Sequence, residues 1–112
     1  MRFALVVAGL LAWAFERVEV RGSSMAPTFM PGDRLLLVRR YRALRPGDVV
    51  SLDDPMGQGR RIVKRVHTVT ASGVELVGDN RDASTDSRDF GTVRSSAISH
   101  LVVRRYATGT AS

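Results

Sequence analysis

Twice in this chain a Pro-Gly-Asp tripeptide, at 31–33 and again at 46–48, runs straight into an apolar segment. Proline fixes its own φ and donates no hydrogen bond, while glycine takes turn conformations that other residues avoid, so each tripeptide forces a corner. Short apolar runs between such corners read as strands. The segments that qualify are 17–21 (RVEVR), 34–40 (RLLLVRR), 48–52 (DVVSL), 60–69 (RRIVKRVHTV), 74–77 (VELV) and 100–106 (HLVVRRY). The stretches between them are rich in Gly, Asp, Asn and Ser, and no helix is expected after residue 16. A chain of 112 residues holds one modest core. The expected fold is mainly β: a coiled, mostly antiparallel sheet spanning 17–106, followed by a tail, 107–112, that frays.

The N-terminus follows a different pattern. Residues 3–15, FALVVAGLLAWAF, form an unbroken apolar run with Arg2 before it and Glu16-Arg17 after it. As a helix the run reaches roughly 20 Å, short of the ~30 Å hydrocarbon layer. Residues 1–16 are therefore read as one short helix and a weak membrane anchor, which places the protein at a membrane. If the helix packs instead as a core element, a cytoplasmic location is expected.

The chain carries a formal charge of +6 from 17 basic residues, and all of these are Arg except Lys64. The arginines come as scattered pairs with few aromatics between them, so there is no stacking platform and no nucleic-acid partner is expected. A solvated basic surface is the first reading, and attraction to anionic lipid the second. Cysteine is absent, which removes disulfides and thiolate metal sites. Lys64 is the one side-chain amine, and unlike Arg an amine can lose its proton near neutral pH.

Chemistry is concentrated in three segments. In Val20-Arg21-Gly22-Ser23-Ser24-Met25-Ala26-Pro27-Thr28 a strand runs into Gly22 and two hydroxyls, and Pro27 and Pro31 are expected to keep the loop extended. Such a loop can present one serine and its backbone N–H to a carbonyl. A nucleophile elbow would need Gly where Ala26 stands, and Ser-x-x-Lys would need Lys where Pro27 stands. A Ser-His-Asp triad with His67 or His100 is formally open, but both histidines lie in apolar strand patterns and read as structural. The second segment, 60–66, sets Lys64 among β-branched residues, whose burial would lower the amine pKa and fit it to take a serine proton. The third, GDNRDASTDSRDFGTV (78–93), fails as a calcium loop: the sixth position from Asp79 is Ser84, not Gly, and the twelfth is Phe90, not Glu. With only two histidines a zinc site is equally unsupported, so neither a metal nor a cofactor is expected. What remains is a polar turn in which Asp86 and Arg88 can pair and Ser84 can offer a hydroxyl to a neighbouring amine.

In this order the segments resemble the type I signal peptidase family. Ser24-Met25-Ala26-Pro27-Thr28 with Gly32-Asp33 looks like its nucleophile box, and Pro46-Gly47-Asp48-Val49-Val50 like the strand that follows. Lys64-Arg65-Val66 is similar to its general-base box, and 78–93 matches its last box nearly throughout. The resemblance covers roughly residues 18–106 and implies a serine endopeptidase that removes a leader or signal peptide from a precursor with small residues before the cut. It implies Ser24 as nucleophile, Lys64 as general base, the Ser24 N–H as oxyanion donor and Ser84 as the residue orienting Lys64. Asp79, Asp86 and Arg88 would brace the last loop. Some members carry a second oxyanion hydroxyl where this chain has Gly22. Only 13 residues separate Lys64 from Gly78, where larger members hold a long insertion. In size and spacing the chain is similar to small relatives that mature nickel superoxide dismutase. Two other readings compete: a repressor-type autoprotease, to which Ala8-Gly9 is similar in its cleaved bond, and a non-enzymatic basic β module.

Overall fold

The computed structural model describes residues 2–57 and 59–109, with side chains from Val6 onward. Helix α1 (Arg2–Ala14) leads without a linker into β1 (Phe15–Glu19). Strands β2 (Arg34–Arg39), β3 (Val49–Asp53), β4 (Arg61–Thr70), β5 (Gly73–Val77) and β6 (Ile98–Ala107) follow. All six form one open antiparallel sheet in the order β1-β2-β6-β3-β4-β5, the mainly β architecture expected from the turns. The apolar run divides earlier than expected: Phe15 is already strand, paired with Val38, so sheet pairing with β2 takes over from the helix at Ala14.

Alternation along the strands separates two faces. Val50 and Leu52 of β3 join Val66, Leu76, Ile98 and Leu101 in one buried cluster, which Ile62 and Phe90 flank. Val20, Leu35 and Leu37 form a second cluster on the opposite face, flanked by Val18, Val63 and Val102. Register shifts between β2 and β6, β3 and β6, and β4 and β5 sharpen the local twist. The sheet consequently coils until β1 and β4, with three strands between them in the order, face each other: Glu16 Oε2 lies 3.4 Å from Arg61 Nη1.

Three expectations need correction. The segment after residue 16 does contain a helical turn, α2 (Ser87–Phe90), besides two short 3₁₀ turns. A reciprocal cap explains it: Asp86 accepts from the Arg88 N–H, and Asp89 accepts from the Asp86 N–H. The loop after β1 is not extended but folds into successive turns, with Ala26 N–H bonded to Ser23 O and Phe29 N–H to Met25 O. Proline blocks a helix there, yet turns accommodate it. Finally, Ala107 still belongs to β6 and the Gly109 N–H bonds to Asp33 Oδ1 at 2.9 Å, so order extends past the expected start of fraying. Residues 110–112 lie outside the described residues.

Candidate active site

Lys64 owes its environment to register. It pairs with Val50 on β3, so its side chain shares the buried face with Ile62 and Val66 and is only 4% exposed. Burial pushes its amine below the ordinary value; the Asp86 carboxylate opposes that shift and Arg60 adds to it. Nζ donates a 2.9 Å hydrogen bond to Ser84 Oγ, which in turn donates to Asp86 Oδ2 at 3.2 Å. The amine is thus both desolvated and aimed.

The carboxylate behind Ser84 is firmly held. Asp86 is fully buried and accepts from the Gly78 N–H, the Arg88 N–H and, through both oxygens, the Arg88 guanidinium. Burial alone would raise its pKa, but these hydrogen bonds hold it well below the usual carboxylate range. Asp79 braces a different junction. It takes both arms of the Arg65 fork at 2.8 Å and the Thr28 hydroxyl at 2.6 Å, tying β4 to the loop that carries Ser24.

Ser24 sits half-buried on the loop between β1 and β2, beside the buried anchor Met25. Val20 N–H to Asp33 O and Gly32 N–H to Val20 O close the base of that loop. Asp33 seals it by accepting from the Met30 and Gly109 N–H groups and from Arg105. Ser24, Lys64, Gly22, Met25, Ala83 and Thr85 share one cleft of about 440 Å³, whose walls are residues 18–25 and 60–64. No hydrogen bond joins Ser24 to Lys64, and among the described residues neither the Ser24 hydroxyl nor its N–H has a partner. Gly22, with φ of 77°, is exposed at the same mouth.

Two further residues hold the site together, and the reading of the sequence gave neither a role. The Asn80 N–H bonds to Ser24 O at 2.8 Å and its side-chain amide to Ser23 O at 3.1 Å, so this residue pins the serine loop to the 78–93 loop. Gly78 lies at the crossing itself: a Cβ there would come within 2.7 Å of Ser24 O and 2.5 Å of Ser84 Cβ. The sequence signal for both was their place in the Gly-Asp-Asn triplet. Neither histidine joins the cleft. His67 is exposed and lines a separate hollow, and His100 is buried against Glu16 and Arg61. Among the described residues no cluster of His, Cys, Asp and Glu could hold a metal ion.

The family described as "Signal peptidase, peptidase S26" matches residues 1–76, which include Ser24, Lys64 and both walls of the cleft. The chain belongs to that family. As a member of S26 it keeps the serine loop and the lysine strand inside the matched region, and the Ser84 loop follows immediately after it. The chain is also 35% identical over 101 residues to "Mitochondrial inner membrane protease subunit 1" of Xenopus tropicalis. That alignment covers 70% of this chain and 60% of that relative's length. No described helix of this S26 protein is long and apolar enough to cross a membrane.

Proposed function

We propose that this protein is a serine endopeptidase of the signal-peptidase type, with Ser24 as nucleophile and Lys64 as general base. The observation that carries the reading is the buried Lys64 amine, bonded to Ser84 and sharing its cleft with Ser24. Neutral Lys64 takes the Ser24 Oγ proton as Oγ bonds to the scissile carbonyl carbon. The Ser24 N–H, which has no acceptor among the described residues, stabilises the developing oxyanion. The protonated amine then gives its proton to the leaving peptide nitrogen, and water, activated by the same amine, hydrolyses the acyl-enzyme. Ser24 and Lys64 come into direct hydrogen-bond reach when substrate fills the cleft.

The substrate enters as a strand. β5 pairs with β4 only from Arg65 onward, so residues 61–64 are paired by β3 on one side and leave the other edge to the cleft. An extended peptide can add to that edge through main-chain hydrogen bonds. The substrate class we propose is a precursor protein with an N-terminal leader and small residues before the cut. The family match supports this over a repressor-type autoprotease or a non-enzymatic β module. The short β4–β5 hairpin fits the narrower role of maturing nickel superoxide dismutase. The exposed Val6, Leu10, Leu11 and Trp13 of α1 suit a membrane-associated setting.

Lys64→Arg is the decisive substitution. Charge and approximate size are kept, but a guanidinium cannot accept the Ser24 proton, so peptide cleavage should fall by about 10²–10⁴-fold, and Ser24→Ala should cost at least as much. A folded Lys64→Arg protein that cleaves nearly as well as wild type refutes the dyad.

A further inference from the structure

We infer that Arg61 is a positioning residue: it ties the wall formed by residues 60–64 to Glu16, two residues before the other wall begins at Val18, and so presets the gap that the upstream part of a substrate occupies. The inference rests on the reading of the cleft as the substrate groove, and it concerns a residue to which neither the motifs nor the catalytic chemistry gives a task.

Toward the serine loop the walls are joined by Asp79, which takes Arg65 and Thr28, and by the packing of Val18 and Val20 with Val63; at the Arg61 end the bridge is polar. One wall is β4 before its pairing with β5 begins, and the other is the end of β1 and the chain just after it, beyond the last β2 partner at Glu19. The strands that carry them are separated by β2, β6 and β3 in the sheet. Arg61 crosses that distance. Its Nη1 lies 3.4 Å from Glu16 Oε2 on β1, and its Nη2 lies 2.9 Å from His100 Nδ1 and 3.0 Å from Ser99 Oγ on β6. The same Nη2 lies 3.3 Å from Ser51 Oγ on β3. His100 Nε2 closes the ring, 3.3 Å from Glu16 Oε2. One guanidinium therefore joins four strands.

The cluster is not what stability alone would select. Of its titratable side chains only His100 is buried, while Arg61 and Glu16 are 28% and 39% exposed, and ion pairs so open to water add little stability. Arg61 Nε is moreover buried without a hydrogen bond, with the Asp53 carboxylate 3.8 Å away as its only charge partner among the described residues. A rigid planar fork does supply defined distances to several acceptors at once, which a flexible amine does not.

Position along the strand makes the inference specific. Arg61 precedes Lys64 by three residues, about 10 Å of strand. A substrate strand lying alongside passes the bridge at about the third or fourth residue upstream of the cut. A peptide with only two upstream residues stops short of it.

The test is steady-state cleavage of two peptides that share one cut site, with two and with six residues upstream of it. Wild type, Arg61→Gln, Arg61→Lys and Glu16→Ala are compared. For the long peptide KM should rise about tenfold in Arg61→Gln, with kcat changing far less, because only strand docking is disturbed. For the short peptide KM should rise less than about threefold. Arg61→Lys should not rescue, and Glu16→Ala should shift the long peptide in the same direction by a smaller factor. Equal losses on both peptides, or no loss on the long one, overturn the inference while leaving the dyad intact. If Arg61→Gln does not fold, Glu16→Ala at its half-exposed position decides: an unchanged dependence on peptide length overturns the inference. If wild type cleaves neither peptide, the peptidase reading itself falls and this inference with it.

Discussion

Gly78→Ala adds one methyl group at the point where the serine loop, the Ser84 loop and the end of β5 meet. Gly78 does not have a positive φ, so the substitution adds no left-handed strain and acts through contact alone. The new Cβ would lie 2.7 Å from the Ser24 carbonyl oxygen and 2.5 Å from Ser84 Cβ, whereas ordinary contacts begin near 3.4 Å. The Ser84 Oγ, which bonds Lys64, lies closer still, so relief requires the Ser24 carbonyl to retreat by about 0.7 Å and Ser84 by more than about 0.9 Å. Neither can move alone. The carbonyl accepts from the Asn80 N–H, and Ser84 lies between Lys64 and the buried Asp86. Nucleophile and base are therefore displaced relative to each other by nearly 1 Å, an error that costs about 10²-fold in rate. That corresponds to about 2.7 kcal/mol of barrier. The overpacking itself should cost about 1–3 kcal/mol of stability. Peptide cleavage measured beside thermal unfolding separates the two effects. A Gly78→Ala protein that cleaves within threefold of wild type refutes the claim that this crossing sets the dyad geometry.

Two dependences on pH follow from the burial of titratable groups. Because only the neutral Lys64 amine accepts a proton, and burial holds its pKa below the usual ~10.4, kcat/KM should rise with pH and level off below that value; a profile still climbing steeply through pH 10 contradicts it. Burial, and secondarily Arg61, lowers the His100 pKa while Glu16 opposes the shift, so the fold favours the neutral ring. Stability should hold above the unfolded value of ~6.5 and fall as pH drops from there toward the folded value, because the unfolded chain takes up that proton first. Thermal unfolding scans between pH 7.5 and 5 should show this decline, and His100→Asn should flatten it; an equal slope in both proteins rules out His100 as its source.

How much of this was legible in the sequence depends on how local each determinant is. The strands were readable because Pro-Gly-Asp at 31–33 and 46–48 marks corners and the runs beyond them are apolar. Burial of Lys64 was readable from its β-branched neighbours, although its register partner Val50 was not. The Ser84 hydroxyl and the Asp86–Arg88 pair lie within one loop, so their pairing was readable locally, whereas the link from Ser84 to Lys64 came only from the family resemblance; the structure places Ser84 Oγ 2.9 Å from Lys64 Nζ. Other features depend on contacts far apart in the chain. Helix α1 gives way after Ala14 to pairing with Val38, and the last ordered residues are held by Asp33. Arg61, Glu16 and His100 meet only because the sheet coils, and no pattern within any one strand encodes that. Asp86 and Asp89 cap a turn with two aspartates, a weaker signal than the usual Ser or Thr with Glu.

The β4–β5 hairpin leads away from the chemistry. Thr70 and Gly73 pair at its tip, with Ala71 and Ser72 exposed between them, and six residues of strand, about 20 Å, separate that tip from Lys64. Among the described residues the side-chain bonds at the tip are local, between the Thr70 and Ser72 hydroxyls and from Thr70 to the Gly73 carbonyl. The hairpin is therefore a natural graft point. A whole extra domain whose two ends lie close together can be spliced between Ala71 and Ser72, where it would lengthen the molecule and leave the lysine and its bracing loop in place.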